Sequence, residues 1–296
     1  MKLYAPSYYR DFVCIADKCR HSCCVGWEID IDEDALDLYQ RLEEPWGTRI
    51  RQSICTEGTP HFCLSAEERC PHLAQNGLCH IISDLGEGYL CHICREHPRF
   101  YNDTAKGREV GLGMCCEEAC RLILAAKDYT TLYPVGELPD EERPDFDAVA
   151  LRAEVLAILS DASLPYTERL ARIGSAFGVS PDRVGDDAWR GLLASLEYMS
   201  EESRALFGCY SSSAKAPLEM QKPLERALAY FIYRHCTPAR DGAEFAAALG
   251  MCLLCERLLA SVLQQGTLPL HEAARLISEE LEYSEDNTDA LKAAFA

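Results

Sequence analysis

Cysteine dominates the chemistry that this chain could perform. Thirteen of its seventeen cysteines precede residue 121, and Cys14, Cys19, Cys23 and Cys24 fall within eleven residues. Thiolates are soft ligands, and short loops allow their sulfur atoms to converge on one ion or cluster. The spacing therefore indicates a metal or iron–sulfur site.

Two more groups of cysteines follow the first one. The second group contains Cys70, Cys79 and Cys94, and the third contains Cys116. One four-iron cluster needs only four thiolates, so either two centres exist or some of the sulfurs are bystanders. The predicted ligands are Cys14, Cys19, Cys23, Cys24, Cys70, Cys79, Cys94 and Cys116.

Other cysteines favour a different role. A free cysteine often behaves as a small buried hydrophobic residue. We predict that role for Cys55, Cys63 and Cys91. The same role is predicted for Cys252 and Cys255, which stand three residues apart in an apolar helical segment.

The identity of the metal depends on the ligand types. Histidines also lie among the cysteines, and five of them are candidates for a nitrogen ligand. Zinc accepts mixed sulfur and nitrogen ligands, whereas iron–sulfur clusters prefer thiolates. The surplus of cysteine favours an iron–sulfur cluster, of the 4Fe-4S type, with zinc as the alternative. The five candidates are His21, His72, His80, His92 and His97.

Composition limits the partners and the compartment. The formal net charge is −19, from 48 acidic and 29 basic residues, and no basic block stands out, which argues against nucleic acid as a partner. Neither a secretory signal nor a run of about 18 apolar residues is evident, so no membrane partner is predicted. We therefore expect a cytoplasmic protein with reduced thiols, in which ligation explains the cysteines better than disulfides do.

The elements that must position these residues are mostly helical. We predict a mainly α protein in which a loop-rich, cysteine-ligated metal or cluster module, residues 1–125, packs on a helical bundle, residues 126–296. Asp32 can cap a first helix, and another should begin near Glu117. Apolar residues at a helical period predict the bundle helices, whereas strand-like alternation is scarce. These helices are 146–160, 166–177, 181–199, 218–236, 243–265, 270–282 and 286–295.

The cysteine blocks also carry a family resemblance. Residues 12–32, which include Cys23-Cys24-Val-Gly26-Trp27, and residues 70–99, which include Cys70-Pro-His-Leu73 and Cys94-Arg95, resemble the flagellin lysine-N-methylase family. Residues 116–124 resemble a further block of that family, with Glu117 in place of a proline. The resemblance implies methyl transfer from S-adenosylmethionine to flagellin lysines, in a protein that carries an iron–sulfur cluster.

The implied reaction suggests roles for residues near the motifs. A lysine amine must lose a proton before it attacks a methyl group, and Glu87 and Glu118 are the predicted proton acceptors. Arg95 and Arg99 could hold the carboxylate of the cofactor, and Trp27 could stack on its base. Each residue also has an ordinary alternative role. The glutamates could cap helices or be solvated, the arginines could neutralise the cluster, and the tryptophan could pack over the cluster.

Two other functions remain open at this stage. The lone Gly111-Leu-Gly113 does not make a dinucleotide-binding turn, and the first cysteine group lacks the spacing of radical S-adenosylmethionine enzymes. The chain could instead be a non-catalytic zinc- or iron-binding module that binds a protein partner. A structural zinc protein is the third possibility. For the methylase, the partner is flagellin or another lysine-bearing protein.

Overall fold

A computed structural model describes residues 1–215 and 217–296, and these form two compact units. The smaller unit comprises residues 13–98, and the larger unit comprises residues 1–12 and 99–296. The division differs from the predicted one at residue 125. Residues 99–125 join the larger unit because they contribute two strands and a helix that pack within it.

Short elements make up the first third of the chain. Strand β1 belongs to the larger unit, and the others belong to the smaller unit. They are β1 (Lys2–Pro6), α1 (Glu33–Arg41), α2 (Trp46–Arg51), β2 (Ile54–Cys55), β3 (His61–Phe62), α3 (His80–Leu85) and α4 (His92–Glu96).

Longer helices dominate the rest of the larger unit. Its elements are β4 (Arg99–Thr104), β5 (Gly107–Leu112), α5 (Glu117–Ala125), β6 (Leu132–Glu137), α6 (Ala148–Ser160), α7 (Tyr166–Phe177), α8 (Asp186–Ser195), α9 (Glu201–Phe207), α10 (Gln221–His235), α11 (Gly242–Gln265), α12 (Leu270–Leu281) and α13 (Glu285–Ala293). The protein is mainly α, as predicted.

The smaller unit folds around a short apolar core. Ile31, Tyr39, Ile50, Phe62 and Ile81 are all buried there. The expected cap of α1 is present, because the Asp32 carboxylate accepts from the Ala35 N–H at 3.0 Å. Cysteine side chains pack at the edge of this core, which places their sulfur atoms in apolar surroundings.

A disulfide joins Cys55 and Cys63 in the smaller unit. The prediction that both are core thiols is therefore wrong, as is the expectation of reduced thiols at this pair. Strands β2 and β3 are antiparallel, with Cys55 opposite His61. This pairing brings the two Cα atoms to 5.3 Å, which lies within the range that a disulfide spans.

A four-stranded sheet in the larger unit was not predicted. Its order is β4-β5-β1-β6, in which β1 runs parallel to β5 and antiparallel to β6. Strand β5 is buried along most of its length and β6 contains Pro134, so neither shows the alternation that marks a half-buried strand.

Helix α11 is the central helix of the larger unit. Its length and an 18-residue window of mean hydropathy 1.8 satisfy the criteria for a membrane span, contrary to the predicted absence of any such run. However, 83% of that window is buried inside the unit. Cys252 and Cys255 lie in this helix and are buried, as expected of core residues. Packing by neighbouring helices accounts for the apolar composition of α11.

Candidate metal centre

Five cysteines of the smaller unit lie close enough to influence one another electrostatically. They come from four separate segments, and we call them the thiol group. Two of them are buried and three are half-buried. The thiol group consists of Cys24, Cys70, Cys79, Cys91 and Cys94.

Backbone pairing positions the first members of the thiol group. The Cys70 N–H donates to the Cys24 carbonyl at 2.8 Å, and the neighbouring residues Val25 and Arg69 form an antiparallel bridge. Cys79 immediately precedes α3, and a second bridge joins it to Leu73. The segments that carry these three sulfurs are therefore tied together before any ligand binds.

Helix α4 positions the other two members. Cys91 immediately precedes the helix, and Cys94 lies one turn along it, so their side chains meet and form a hydrogen bond. The other Asp32 carboxylate oxygen accepts from the His92 N–H at 2.5 Å. A single aspartate thus holds the N-termini of α1 and α4, which fixes the helix that bears two thiols.

The thiols differ in how readily they lose a proton. A hydrogen bond with Cys23 lowers the pKa of the Cys24 thiol to about 7, while burial opposes this effect and the Arg69 charge assists it. The hydrogen bond with Cys94 lowers the pKa of Cys91. Burial raises the pKa of Cys70 to about 12 and also raises that of Cys79. A hydrogen bond with Cys91 raises the pKa of Cys94. Cys24 and Cys91 therefore lose their protons more readily than ordinary thiols do, and a bound cation would have to displace protons from the other three.

The donor chemistry of the thiol group fits an iron–sulfur cluster or zinc. Five soft donors in apolar surroundings are one more than either centre requires. Across residues 1–215 and 217–296, however, no three His, Cys, Asp or Glu side chains are arranged so that they could hold a metal ion. The fit is one of donor type and neighbourhood, and coordination would require the sulfur atoms to draw closer.

The structure distributes the predicted ligands over both units. Cys24, Cys70, Cys79 and Cys94 belong to the thiol group. Cys14 is exposed, and the Cys19 thiol donates to the His21 carbonyl at 3.1 Å. Cys23 is exposed and contacts the thiol group through its hydrogen bond to Cys24.

The remaining predicted ligand lies in the larger unit. Cys116 immediately precedes α5, close to the buried thiols of Cys115 and Cys120. Burial raises the pKa of Cys115 to about 12 and also raises that of Cys120, so both thiols remain protonated near neutral pH.

The predicted catalytic and cofactor-binding residues are also divided between the units. Glu87 is exposed in the smaller unit, whereas Glu118 in α5 forms an ion pair with Arg121 at 2.6 Å. Trp27 is half-buried and Arg95 lies 3.9 Å from Glu96, both in the smaller unit.

Arg99 belongs to the larger unit, because the division falls between Pro98 and Arg99. Its Nε donates to the Tyr9 hydroxyl at 3.1 Å, and its guanidinium lies 5.8 Å from the Phe12 ring centre. Neither unit by itself contains both predicted carboxylates or both predicted arginines.

Sequence reasoning missed two residues of this site. Cys91 is a buried core residue, as predicted, but its place in the thiol group was not predicted, although the Cys91-x2-Cys94 spacing is typical of a ligand pair. The second role of Asp32, the cap of α4, joins residues 60 positions apart. No local pattern could have indicated that contact.

Comparison with known proteins identifies relatives of this chain. It is 27% identical over 134 residues to the lysine-N-methylase of Salmonella typhimurium and to that of Salmonella choleraesuis. The match covers 43% of this chain and 33% of each relative, so it spans about a third of their length. A flagellar biosynthetic protein, FliU, from Salmonella muenchen is 26% identical over 134 residues, which cover 79% of that protein.

No protein-family model matches the chain, and no solved structure matches it significantly. The curated relatives nevertheless carry the names that the cysteine motifs led us to expect. They support assignment of this chain to the flagellin lysine-N-methylase family.

Proposed function

We propose that this chain is a protein-lysine N-methyltransferase that uses S-adenosylmethionine, modifies flagellin or another lysine-bearing protein in the cytoplasm, and carries an iron–sulfur cluster on its thiol group. The names of the relatives support the reaction class. The observation that carries the proposal further is the gathering of five thiols from four segments of the smaller unit.

The cofactor would supply an electrophilic methyl group, and the protein must present a neutral lysine amine to it. The carboxylate of Glu118 is already held by Arg121, with oxygen-to-nitrogen distances of 2.6 and 2.8 Å. Glu87 is exposed and forms no such pair among residues 1–215 and 217–296. Of the two predicted proton acceptors, Glu87 is therefore the better candidate.

A non-catalytic metal-binding module is the second candidate, and one observation favours it. The sheet of the larger unit has a single parallel pair and is otherwise antiparallel. It therefore lacks the doubly wound parallel arrangement that binds nucleotides in many transferases. A methyltransferase built on this fold must bind its cofactor in another way.

The test begins with anaerobic purification and analysis of iron, sulfide and zinc, with visible spectra before and after dithionite. Iron and sulfide, with absorption that bleaches, support the cluster. Transfer of a radiolabelled methyl group from S-adenosylmethionine to flagellin then supports the activity. Zinc on a colourless protein without methyl transfer would favour the second candidate function.

Substitutions identify the ligands. Cys91→Ser and Cys94→Ser should remove the metal, whereas Cys14→Ser in the same unit is the matched control and should retain it. Cys252→Ser in α11 is the control for a buried thiol. Metal loss in Cys14→Ser together with metal retention in Cys91→Ser would instead favour the ligand set predicted from the sequence.

A further inference from the structure

A small cavity lies inside the larger unit, between the segment after β1, the loop after α5, and helices α6 and α10. Its volume is about 20 Å³, and its lining includes Tyr8, Tyr129, Arg152, Arg226 and Tyr233. A cavity needs roughly 10–15 Å³ by this measure to hold one water. The space therefore accepts one atom or group the size of a water, and several residues of its lining are hydrogen-bond donors.

Two buried donors in this lining have no partner. The Tyr233 hydroxyl belongs to a side chain that is 5% exposed, and neither that hydroxyl nor Nε of Arg226 makes a hydrogen bond to any residue that the structure describes. The two residues lie seven positions apart on α10, and so share one face of the helix. An unsatisfied buried donor costs about 1–3 kcal/mol. Arginine cannot accept a hydrogen bond, so the group that satisfies both donors must be an acceptor.

The charges around the cavity favour an anionic acceptor. Glu109 binds the guanidinium of Arg152 through two contacts, of 2.6 and 2.9 Å, and neutralises it. No carboxylate in residues 1–215 or 217–296 forms an ion pair with Arg226. Its Nη1 donates only to the Leu124 carbonyl, at 2.7 Å. Arg226 therefore brings to the cavity a positive charge that no direct ion pair neutralises, and the Glu225 carboxylate interacts with it only at longer range.

The surroundings of Tyr129 add further positive charge near the cavity. Its hydroxyl donates to Glu225, which also binds Lys222 at 2.7 Å and Arg169 at 2.8 Å. Burial and the positive charges of Arg169 and Arg226 lower the pKa of Lys222, so these three cations lie close enough to repel one another. They share a single carboxylate.

The nearby carboxylate of Asp128 is committed elsewhere. It accepts from the backbone N–H groups of Thr130 and Thr131 and from the Tyr133 hydroxyl. It therefore does not supply the acceptor that the cavity lacks.

We propose that this cavity binds a carboxylate group, held by Arg226 and by the Tyr233 hydroxyl. The carboxylate can come from the methionine moiety of S-adenosylmethionine, in which case the proposal rests on the proposed function. It can also come from a separate small carboxylate ligand. By volume the cavity accommodates one carboxylate oxygen, so the remainder of the ligand lies outside it.

Ligand binding to the full chain tests the proposal. S-adenosylhomocysteine carries the carboxylate, whereas methylthioadenosine lacks the amino-acid portion and keeps the adenosine, and acetate is the isolated carboxylate. Tyr233→Phe removes only the hydroxyl, and Arg226→Lys keeps the charge while removing Nε. Tyr210→Phe is the matched control, because its hydroxyl is equally buried and unpartnered but does not line the cavity.

The two substitutions at the cavity should each weaken carboxylate binding about tenfold or more, as expected for a hydrogen bond to a charged group. Tyr210→Phe should leave binding unchanged. If the cavity variants bind S-adenosylhomocysteine more weakly than the wild type does but bind methylthioadenosine equally well, the cofactor is the source of the carboxylate. Weaker binding of acetate alone identifies a separate ligand. If S-adenosylhomocysteine does not bind the wild type while acetate binding still depends on Tyr233, the cavity proposal stands and the proposed function fails.

Unchanged binding of every carboxylate in folded Tyr233→Phe and Arg226→Lys would overturn the proposal and leave water as the occupant. Thermal unfolding without ligand gives an independent readout. Because Tyr233→Phe removes an unsatisfied donor, its melting temperature should equal or exceed that of the wild type without carboxylate. Added carboxylate should raise the melting temperature of the wild type more than that of the variant. Equal gains in both proteins would also contradict the proposal.

Discussion

The Asp32 carboxylate should control the local stability of the helix that carries Cys91 and Cys94. Its two oxygens accept from the N–H groups of Ala35 and His92, at 3.0 and 2.5 Å. Loss of one N-cap typically costs about 1 kcal/mol, within a range of about 0.5–2 kcal/mol. Because 1.4 kcal/mol corresponds to about a factor of ten, Asp32→Ala should accelerate amide exchange about fivefold, and at most about thirtyfold, in both helices.

Hydrogen exchange followed by mass spectrometry measures the rate of amide exchange directly in peptides that cover α1 and α4. Asp32→Asn retains a good cap and should change exchange much less. Asp84→Ala is the matched control, since Asp84 is exposed in α3 of the same unit. Burial alone would raise the pKa of Asp32, but the two N–H groups lower it below 3.8. The Asp32 contribution is therefore complete above that pH and is lost as the pH falls through the lowered value.

Accelerated exchange in α1 with no change in α4 would refute the reasoning, because the contact to His92 is the one through which Asp32 holds the N-terminus of α4. Equal exchange in Asp32→Ala and Asp84→Ala would refute both caps. A further readout is available if the protein carries metal. Asp32→Ala should then bind it less tightly than Asp32→Asn does.

Two further predictions concern packing and burial. Gly47→Ala should destabilise the protein in urea unfolding, because a Cβ there would lie 2.1 Å from the Leu42 carbonyl oxygen. At Gly191 a Cβ meets nothing within 4 Å, so Gly191→Ala should instead stabilise the protein by up to about 1 kcal/mol. Glu256 is fully buried, and burial raises its pKa from 4.5 to about 6. The folded state therefore binds more protons than the unfolded state in this window, so stability should fall by about 2 kcal/mol as the pH rises through it, and Glu256→Gln should abolish that dependence.

Much of the helical structure could be predicted from the sequence. Helices α6, α7, α11 and α12 begin and end within two residues of their predicted bounds, because apolar residues recur there at a helical period. The segment 181–199 was predicted as one helix. It divides into a short 3₁₀ turn that begins at Pro181 and helix α8, and Pro181 occupies the first position, where its missing N–H costs nothing.

The sheet and the membership of the thiol group could not be predicted in the same way. Strand β1 pairs with residues more than 100 positions away, and no local pattern encodes such a partner. Cysteine presents a related difficulty, because the same side chain serves as core residue, ligand or disulfide partner. Tertiary placement alone separates Cys91, a member of the thiol group, from Cys63, which forms a disulfide with Cys55.

The discontinuous larger unit has a consequence for synthesis on the ribosome. Strand β1 emerges before its partners β5 and β6, which follow only after the whole smaller unit, residues 13–98, has been translated. At a translation rate of about 5–20 residues per second, both edges of β1 stay unpaired for on the order of 5–20 s. The smaller unit can complete its fold during that interval. A nascent-chain complex stalled soon after residue 98 leaves the ribosome should therefore contain a folded thiol group beside an exposed strand, which makes β1 a candidate for chaperone binding.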